Sequence, residues 1–362
     1  MLRMYERLLV VLSRERNIYF NLSLENYLLS TFSTGRLWNN VSNSAYSRVL
    51  YFWRNSPAVI IGRNQNLYSE CNLNNITQDV NIVRRFTGGG AVYQDLGNLC
   101  FTIISDSKTH DFNTNSQLIC SALTKLIGVR CDPTGRNDMC VNGLKFSGSA
   151  FKVLPNAALH HGTLLININK GSLEKYLTPE KSKLAKHNVK SVESRVTNLA
   201  QFKPDITHQE VCDSIISETV THFQYTHSEL WEVDQTSEVC NEQEFKECYN
   251  KLTDRDWIYG TNLRNEMNGM NGMNGMNVRS LRNRFEFGSV EFCLDIRDNQ
   301  VENVFIYSDM LNADFIQHLI KKFNKSPFPN TFQAFEEILN SVEYPNCEEY
   351  VRQIKAWLRE SL

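Results

Sequence analysis

This chain has no Cys-x-x-Cys pair, no apolar run long enough to span a bilayer, and no large excess of either charge. Each absence excludes something. The ten cysteines are scattered through 362 residues, a usage that reads as reduced, mostly buried thiols of an intracellular protein rather than a disulfide framework. The longest apolar stretches, such as Leu8 to Leu12, are strand-length, well short of the ~20 residues a membrane helix needs. A formal net charge of −2 leaves no electrostatic footprint for nucleic acid or for an anionic membrane, so any partner must be recognised locally. Near the start, Arg3, Arg7, Arg14 and Arg16 are interrupted by Glu6 and Glu15, so a targeting peptide is expected to be very short or absent.

What is present is an ordinary globular balance, 41% hydrophobic and 22% charged, over a length that suggests two domains. The layout is α+β. Asn21 to Phe32 carries apolar residues at helical spacing, and so do Leu118 to Leu126 and a stretch near Gln209 to Thr221. Strand-like segments lie at Val49 to Trp53, Ala58 to Ile61, Ala91 to Tyr93, Cys100 to Ile104 and Gly162 to Ile168. Asn142-Gly143 is a strong signal for a two-residue hairpin turn. After about residue 230 the character changes. A Met-Asn-Gly repeat from Met267 to Asn277 is low complexity and reads as an insertion or linker. Beyond it come an apparent antiparallel meander and three helices. This divides the chain into a main domain over 1–240, a linker over 241–280 and a small α/β domain over 281–362.

Three motifs carry chemistry. The first is Arg84-Arg85-Phe86-Thr87-Gly88-Gly89-Gly90-Ala91-Val92-Tyr93-Gln94-Asp95-Leu96-Gly97-Asn98. Three successive glycines bare the backbone, so a ligand can lie against it and amides can aim at an anion, while two arginines add charge suited to phosphate. It is neither a Walker A loop nor a Rossmann fingerprint; a tight turn between strands is the plainer reading of the glycines alone. The second runs from Gly135-Arg136-Asn137-Asp138 to Asn142-Gly143-Leu144-Lys145-Phe146-Ser147-Gly148. Lys145 stands one step past the hairpin turn, where a rigid strand can set an ammonium against charge growing on a carboxyl or phosphoryl oxygen; a solvated hairpin lysine is the alternative. Asn137 and Asp138 are polar groups suited to a base, a ribose or a metal-bound phosphate. The third is His160-His161-Gly162-Thr163. Adjacent strand residues face opposite sides, so the pair does not read as a metal site; one histidine is expected to be packed and the other to meet ligand or acceptor.

These blocks, in this order, resemble lipoate–protein ligase A and the related lipoyltransferases. Ile61-Gly62-Arg63-Asn64-Gln65-Asn66 and Ser191 to Leu199 match as well, and Asp256 to Gly260 and Val304 to Asp309 fit the family's accessory domain. The resemblance covers nearly the whole chain. It implies a mixed β-sheet catalytic domain of the biotin/lipoate ligase type with a small α/β C-terminal accessory domain. It assigns ATP and lipoyl-AMP to Arg85, Thr87, Gly89, Gly90, Ala91, Val92, Tyr93, Asn98, Asn137, Asp138 and Lys145, and lipoate to Lys145, Gly89 and His161, with no protein metal site. Gln94 stands where the family usually has histidine, which puts proton shuttling there in doubt.

The implied reaction is activation of lipoate or octanoate by ATP with Mg²⁺, then transfer to a lysine of a lipoyl-domain acceptor, either an E2 subunit of a 2-oxoacid dehydrogenase or a glycine-cleavage H-type protein. Val83, Phe86 and Phe151 are candidates to line an apolar tunnel for the lipoyl chain. The rival readings are a lipoyltransferase that uses only preformed lipoyl-AMP and a cysteine-dependent transferase working through Cys100 or Cys140. No nucleic acid or membrane partner is expected. A monomer is expected, in the mitochondrial matrix or, alternatively, the cytoplasm.

Overall fold

In the computed structural model, described over residues 7–38, 46–178, 195–260, 277–297, 300–324 and 331–361, the run from Leu8 forms β1 (Arg7–Ser13). Asn17 then starts α1 (Ile18–Ser33): its side chain accepts from the amides of Tyr19 and Phe20, satisfying two donors that a helix N-terminus leaves open. β2 (Tyr46–Trp53) lies parallel to β1. β3 (Ala58–Ile61), β4 (Asn81–Arg84) and β5 (Val92–Gln94) make a separate small sheet in the order β4-β3-β5. Next come β6 (Asn98–Ser105), β7 (Cys131–Thr134), β8 (Asp138–Val141), β9 (Leu144–Leu154), β10 (Ala157–Leu165) and β11 (His227–Val233). With β1 and β2 they build an eight-stranded mixed sheet ordered β11-β1-β2-β6-β10-β9-β8-β7. The β8–β9 turn is the expected one: Asn142 and Gly143 both have positive φ, 51° and 76°, the twist a two-residue hairpin requires.

One face of this sheet is the main core. Leu8, Val10, Leu50, Phe52, Leu99, Phe101, Ile103, Met139, Val141 and Phe146 pack there. Against them lie the apolar faces of two helices, Phe112–Ile127, capped by Asp111, and His208–Phe223, opened by a Thr207/Glu210 capping box. Each large side chain so buried contributes roughly 1.5–3 kcal/mol. The other face meets α1, whose Glu25 is buried.

Two compact units emerge, and they do not follow chain order. The first comprises Met1–Ile60, Cys71–Arg84 and Val92–Ile258; the second comprises Ile61–Glu70, Arg85–Ala91 and Tyr259–Leu362. Within the stretch read as linker, Gln243–Thr253 and Arg255–Tyr259 are helical, because Phe245 and Leu252 find an apolar seat: Phe245 packs edge-on against Phe20 at 5.3 Å. The Met-Asn-Gly repeat lies outside the described residues up to position 276. The second unit has its own core. β12 (Asn277–Phe285), β13 (Gly288–Arg297) and β14 (Gln300–Ser308) form an antiparallel meander. Helices Ala313–Phe323, Phe332–Asn340 and Glu348–Ser361 cover it with Phe315, Leu319, Phe335 and Ile354.

Candidate active site

Lys145 reaches its position through an irregularity in the sheet. Asp138 pairs with Gly148 and Met139 with Ser147, but Cys140 then pairs with Lys145, so β9 advances two residues where β8 advances one. The extra residue, Phe146, is a β-bulge of the kind that re-aims a neighbouring side chain. Without it, strict alternation would put Lys145 and Gly148 on opposite faces. With it, Phe146 enters the core and Lys145 joins Asp138 and Gly148 on the other side. The Lys145 ammonium sits 2.7 Å from Oδ1 of Asp138, and the Arg195 guanidinium 2.7 Å from Oδ2. Burial alone would raise the Asp138 pKa, but the charges and hydrogen bonds of Lys145 and Arg195 outweigh it and hold the carboxyl below its usual range. One carboxylate between two cations leaves a net positive charge, with Lys145 still 26% exposed. Gly148 makes room for it: an added Cβ would stand 2.7 Å from Nζ.

Strand pairing extends this face across the sheet. Ala150, two residues from Gly148, pairs with His161, and His161 pairs with Thr102; Cys100 pairs with Thr163 and Asn98 with Leu165. Lys145, Asp138, His161, Thr163, Thr102 and Asn98 therefore share one side. His161 Nδ1 lies 2.8 and 3.0 Å from the two oxygens of the buried Glu25, which also accepts from Thr102 Oγ1 at 2.5 Å. His160 points the opposite way, buried among Phe101, Phe112 and Phe151, and burial first of all drives its pKa well below the usual histidine range. Asn98 donates to Cys100 Sγ, and its Oδ1 is buried with no hydrogen-bond partner among the described residues.

The glycine-rich loop belongs to the second unit. Gly88 packs so closely that a Cβ would meet the Met310 carbonyl at 2.1 Å, and the Gly89 amide, at φ +88°, donates to that carbonyl at 3.3 Å. Gly62 lies as tightly on the Gly89 carbonyl. The neighbouring Arg63 and Asn64 bind Asp314 and the Ala313 carbonyl.

Residues 17–220 match the lipoyl protein ligase A/B catalytic domain, and residues 278–358 match the bacterial lipoate protein ligase C-terminus. The chain belongs to the lipoate–protein ligase family. It is 33% identical over 410 residues to lipoate–protein ligase 1 of Plasmodium falciparum, covering 98% of this chain and 95% of that protein. It is 32% identical over 362 residues to lipoate-protein ligase A of Psychrobacter cryohalolentis, covering 97% and 98%. The crystal structure of P. falciparum LipL1 in complex with lipoate superposes with a TM-score of 0.81 at 33% identity, over 97% of this chain and 99% of that one. The mixed-sheet catalytic fold with its α/β C-terminal domain is thereby the family's.

Placed in this ligase fold, the motif residues separate by what they touch. Lys145, Asp138, Asn98 and His161 share the sheet face described above. Arg85 and Arg84, read in the sequence as suited to phosphate, both bind backbone carbonyls. The Arg85 guanidinium closes on its own loop, donating to Thr87 Oγ1 at 3.1 Å and to the carbonyls of Gly88 and Gly90 at 2.5 and 2.8 Å. Arg84 donates to the carbonyls of Trp257 and Ile258. In each case the guanidinium donates to backbone carbonyls of a loop or a helix end. Asn137 is tied to β9, its amide donating to the Ser149 carbonyl at 2.6 Å. Tyr93 stacks on Tyr176 at 5.2 Å; Ala91 and Val92 are half-buried beside it in sequence. Gln94 is buried and accepts from Asn55 at 2.6 Å. The Asp-Leu-Gly-Asn tail is a turn: Asp95 accepts from Gly97, whose Cα lies against the Asn167 carbonyl. Phe151, a tunnel candidate, packs on Phe112 at 4.1 Å on the His160 side. The sequence reading gave no site role to Glu25 or Thr102, whose only signal was a charged or hydroxyl residue among apolar ones, nor to Arg195, which stood in a matching block without a role of its own.

Proposed function

We propose that this chain joins lipoate to ATP as lipoyl-AMP and then passes the lipoyl group to a lysine of a lipoyl-domain acceptor. The observation that carries the reading is the Lys145 ammonium, fixed by Asp138 on a strand, beside a second cation and on the side of the sheet away from the main core. In the first step a substrate carboxylate oxygen attacks the α-phosphorus, a new C–O–P link forms and pyrophosphate leaves. Lys145 offsets the charge gathering on the carboxyl and phosphoryl oxygens. In the second, the acceptor amine attacks the acyl carbon, an amide forms and AMP departs with the link oxygen. The amine must shed a proton whose ordinary pKa is about 10.4, and the departing phosphate is the base assigned to it. ATP is taken as its Mg²⁺ complex, with the ion carried by the phosphates.

Asn98, Asn137 and Asp138 are assigned to the adenylate, as are Val92 and Tyr93; Arg85, Thr87, Gly89, Gly90 and Ala91 keep the same assignment, Arg85 by shaping the loop. His161 and Gly89 are assigned to lipoate. E2 subunits or H-type proteins are the acceptors, octanoate an alternative acid, the working form a monomer, and the mitochondrial matrix the compartment. No helix among the described residues is long and apolar enough to cross a membrane.

A thioester mechanism is disfavoured by its own thiols. Burial raises the Cys100 pKa well above the ordinary thiol value and also raises that of Cys140, so neither is a ready thiolate. A lipoyltransferase that only accepts preformed adenylate is separated by lipoate-dependent ATP–pyrophosphate exchange. The protein should catalyse this exchange and Lys145→Ala should abolish it, a loss of at least about 10²-fold. Near-normal exchange by a folded Lys145→Ala variant would overturn the assignment.

A further inference from the structure

Asp138 serves two cations, one on each oxygen, and the second of them has no place in the reaction as drawn. Arg195 heads a segment bound to the same strand as the lysine: the Thr197 amide donates to the Lys145 carbonyl at 2.8 Å, and Val196 bridges Lys145 in parallel. Its guanidinium is thereby fixed on Asp138 by backbone that does not depend on where the lysine side chain goes. The lysine stem is flexible, and Gly148 beneath it presents no Cβ to block it. If Nζ turns to a substrate oxygen, a largely buried carboxylate would be left alone, which is costly, unless a second cation stays on it.

We propose that Asp138 and Arg195 form a holding pair for the Lys145 ammonium, with Arg195 keeping Asp138 neutralised when Lys145 leaves it for the substrate. Arg195 is thus a positioning residue. The assignment of Lys145 to substrate rests on the ligase reading; the holding pair does not.

Two measurements test it. The first is acetylation of Lys145 by acetic anhydride on the whole protein, followed by peptide mass spectrometry. Asp138→Asn frees the ammonium, and Gly148→Ala crowds it off Asp138 without removing a charge, so both should raise labelling at least about threefold. Arg195→Gln leaves Asp138 to Lys145 alone and should lower labelling by a similar factor. Arg195→Lys should stay near wild type. The second is ATP–pyrophosphate exchange. Arg195→Gln should lower kcat at least about tenfold and Arg195→Lys restore most of it, while adding Arg195→Gln to Asp138→Asn should cost little more, since the arginine acts through the carboxylate. Labelling of Arg195→Gln equal to wild type, or losses that multiply in the double variant, would overturn the holding pair. The expected labelling order without any lipoate-dependent exchange would uphold the pair and overturn the ligase reading.

Discussion

Single side chains here are tuned by what surrounds them, and His110 shows the rule away from Lys145. Asn115 donates to its Nε2 at 3.1 Å, which leaves Nδ1–H to donate to Ser105 Oγ at 2.6 Å. Both bonds suit the neutral ring. Burial, and next the charge of Arg48, push its pKa down to about 4 from 6.5, against a smaller opposing pull from Asp111. Between those values the unfolded chain binds the proton and the folded one does not, so stability rises with pH across this window and is lost as pH falls from about 6.5 toward 4. The contribution is on the order of 3 kcal/mol. His110→Gln should flatten the acid side of a plot of Tm against pH; an unchanged slope between pH 6.5 and 4 would contradict this.

Among the elements, two devices shape the main domain, and they differ in how visible they are beforehand. The helix His208–Phe223 begins with Thr207 accepting from the Glu210 amide and Glu210 accepting from the Thr207 amide. That reciprocal pair is a local pattern, and Thr207→Ala should cost about 1 kcal/mol in a denaturant titration; no change in midpoint would mean that packing against the sheet alone holds the helix start. The bulge at Phe146 is not a local pattern. Nothing in Leu144 to Gly148 announces it, because it arises when Met139, Val141 and Phe146 all seek the same core. It decides on which side Lys145 emerges. The hairpin turn before it was legible, since Asn142 and Gly143 tolerate positive φ where most residues do not.

For the whole molecule, the division into units matters more than the order of segments. The segments Ile61–Glu70 and Arg85–Ala91 fold with Tyr259–Leu362, and Gly88 is one of the tight contacts within that unit. An alanine there would place its Cβ 2.1 Å from the Met310 carbonyl and 2.7 Å from that of Leu311. Both are backbone atoms and cannot swing aside. Gly88→Ala should therefore destabilise the second unit by about 3 kcal/mol, read as faster hydrogen exchange in Gly288–Arg297. Wild-type exchange in that strand would show that the turn at Met310 yields without consequence.

Sequence alone determined the α+β class, the hairpin and the meander, because each is written in short-range spacing: period-two and helical alternation, and turn residues with special φ. Tertiary structure alone decided what those residues face. Asp138 and Arg195 are 57 positions apart, Glu25 and His161 are 136 apart, and Arg63 and Asp314 are 251 apart. No local pattern encodes such pairs; the geometry of the closed chain selects them. The same holds for Arg84 and Arg85, whose bonds to the carbonyls of Trp257 and Gly88 appear only once the chain is folded.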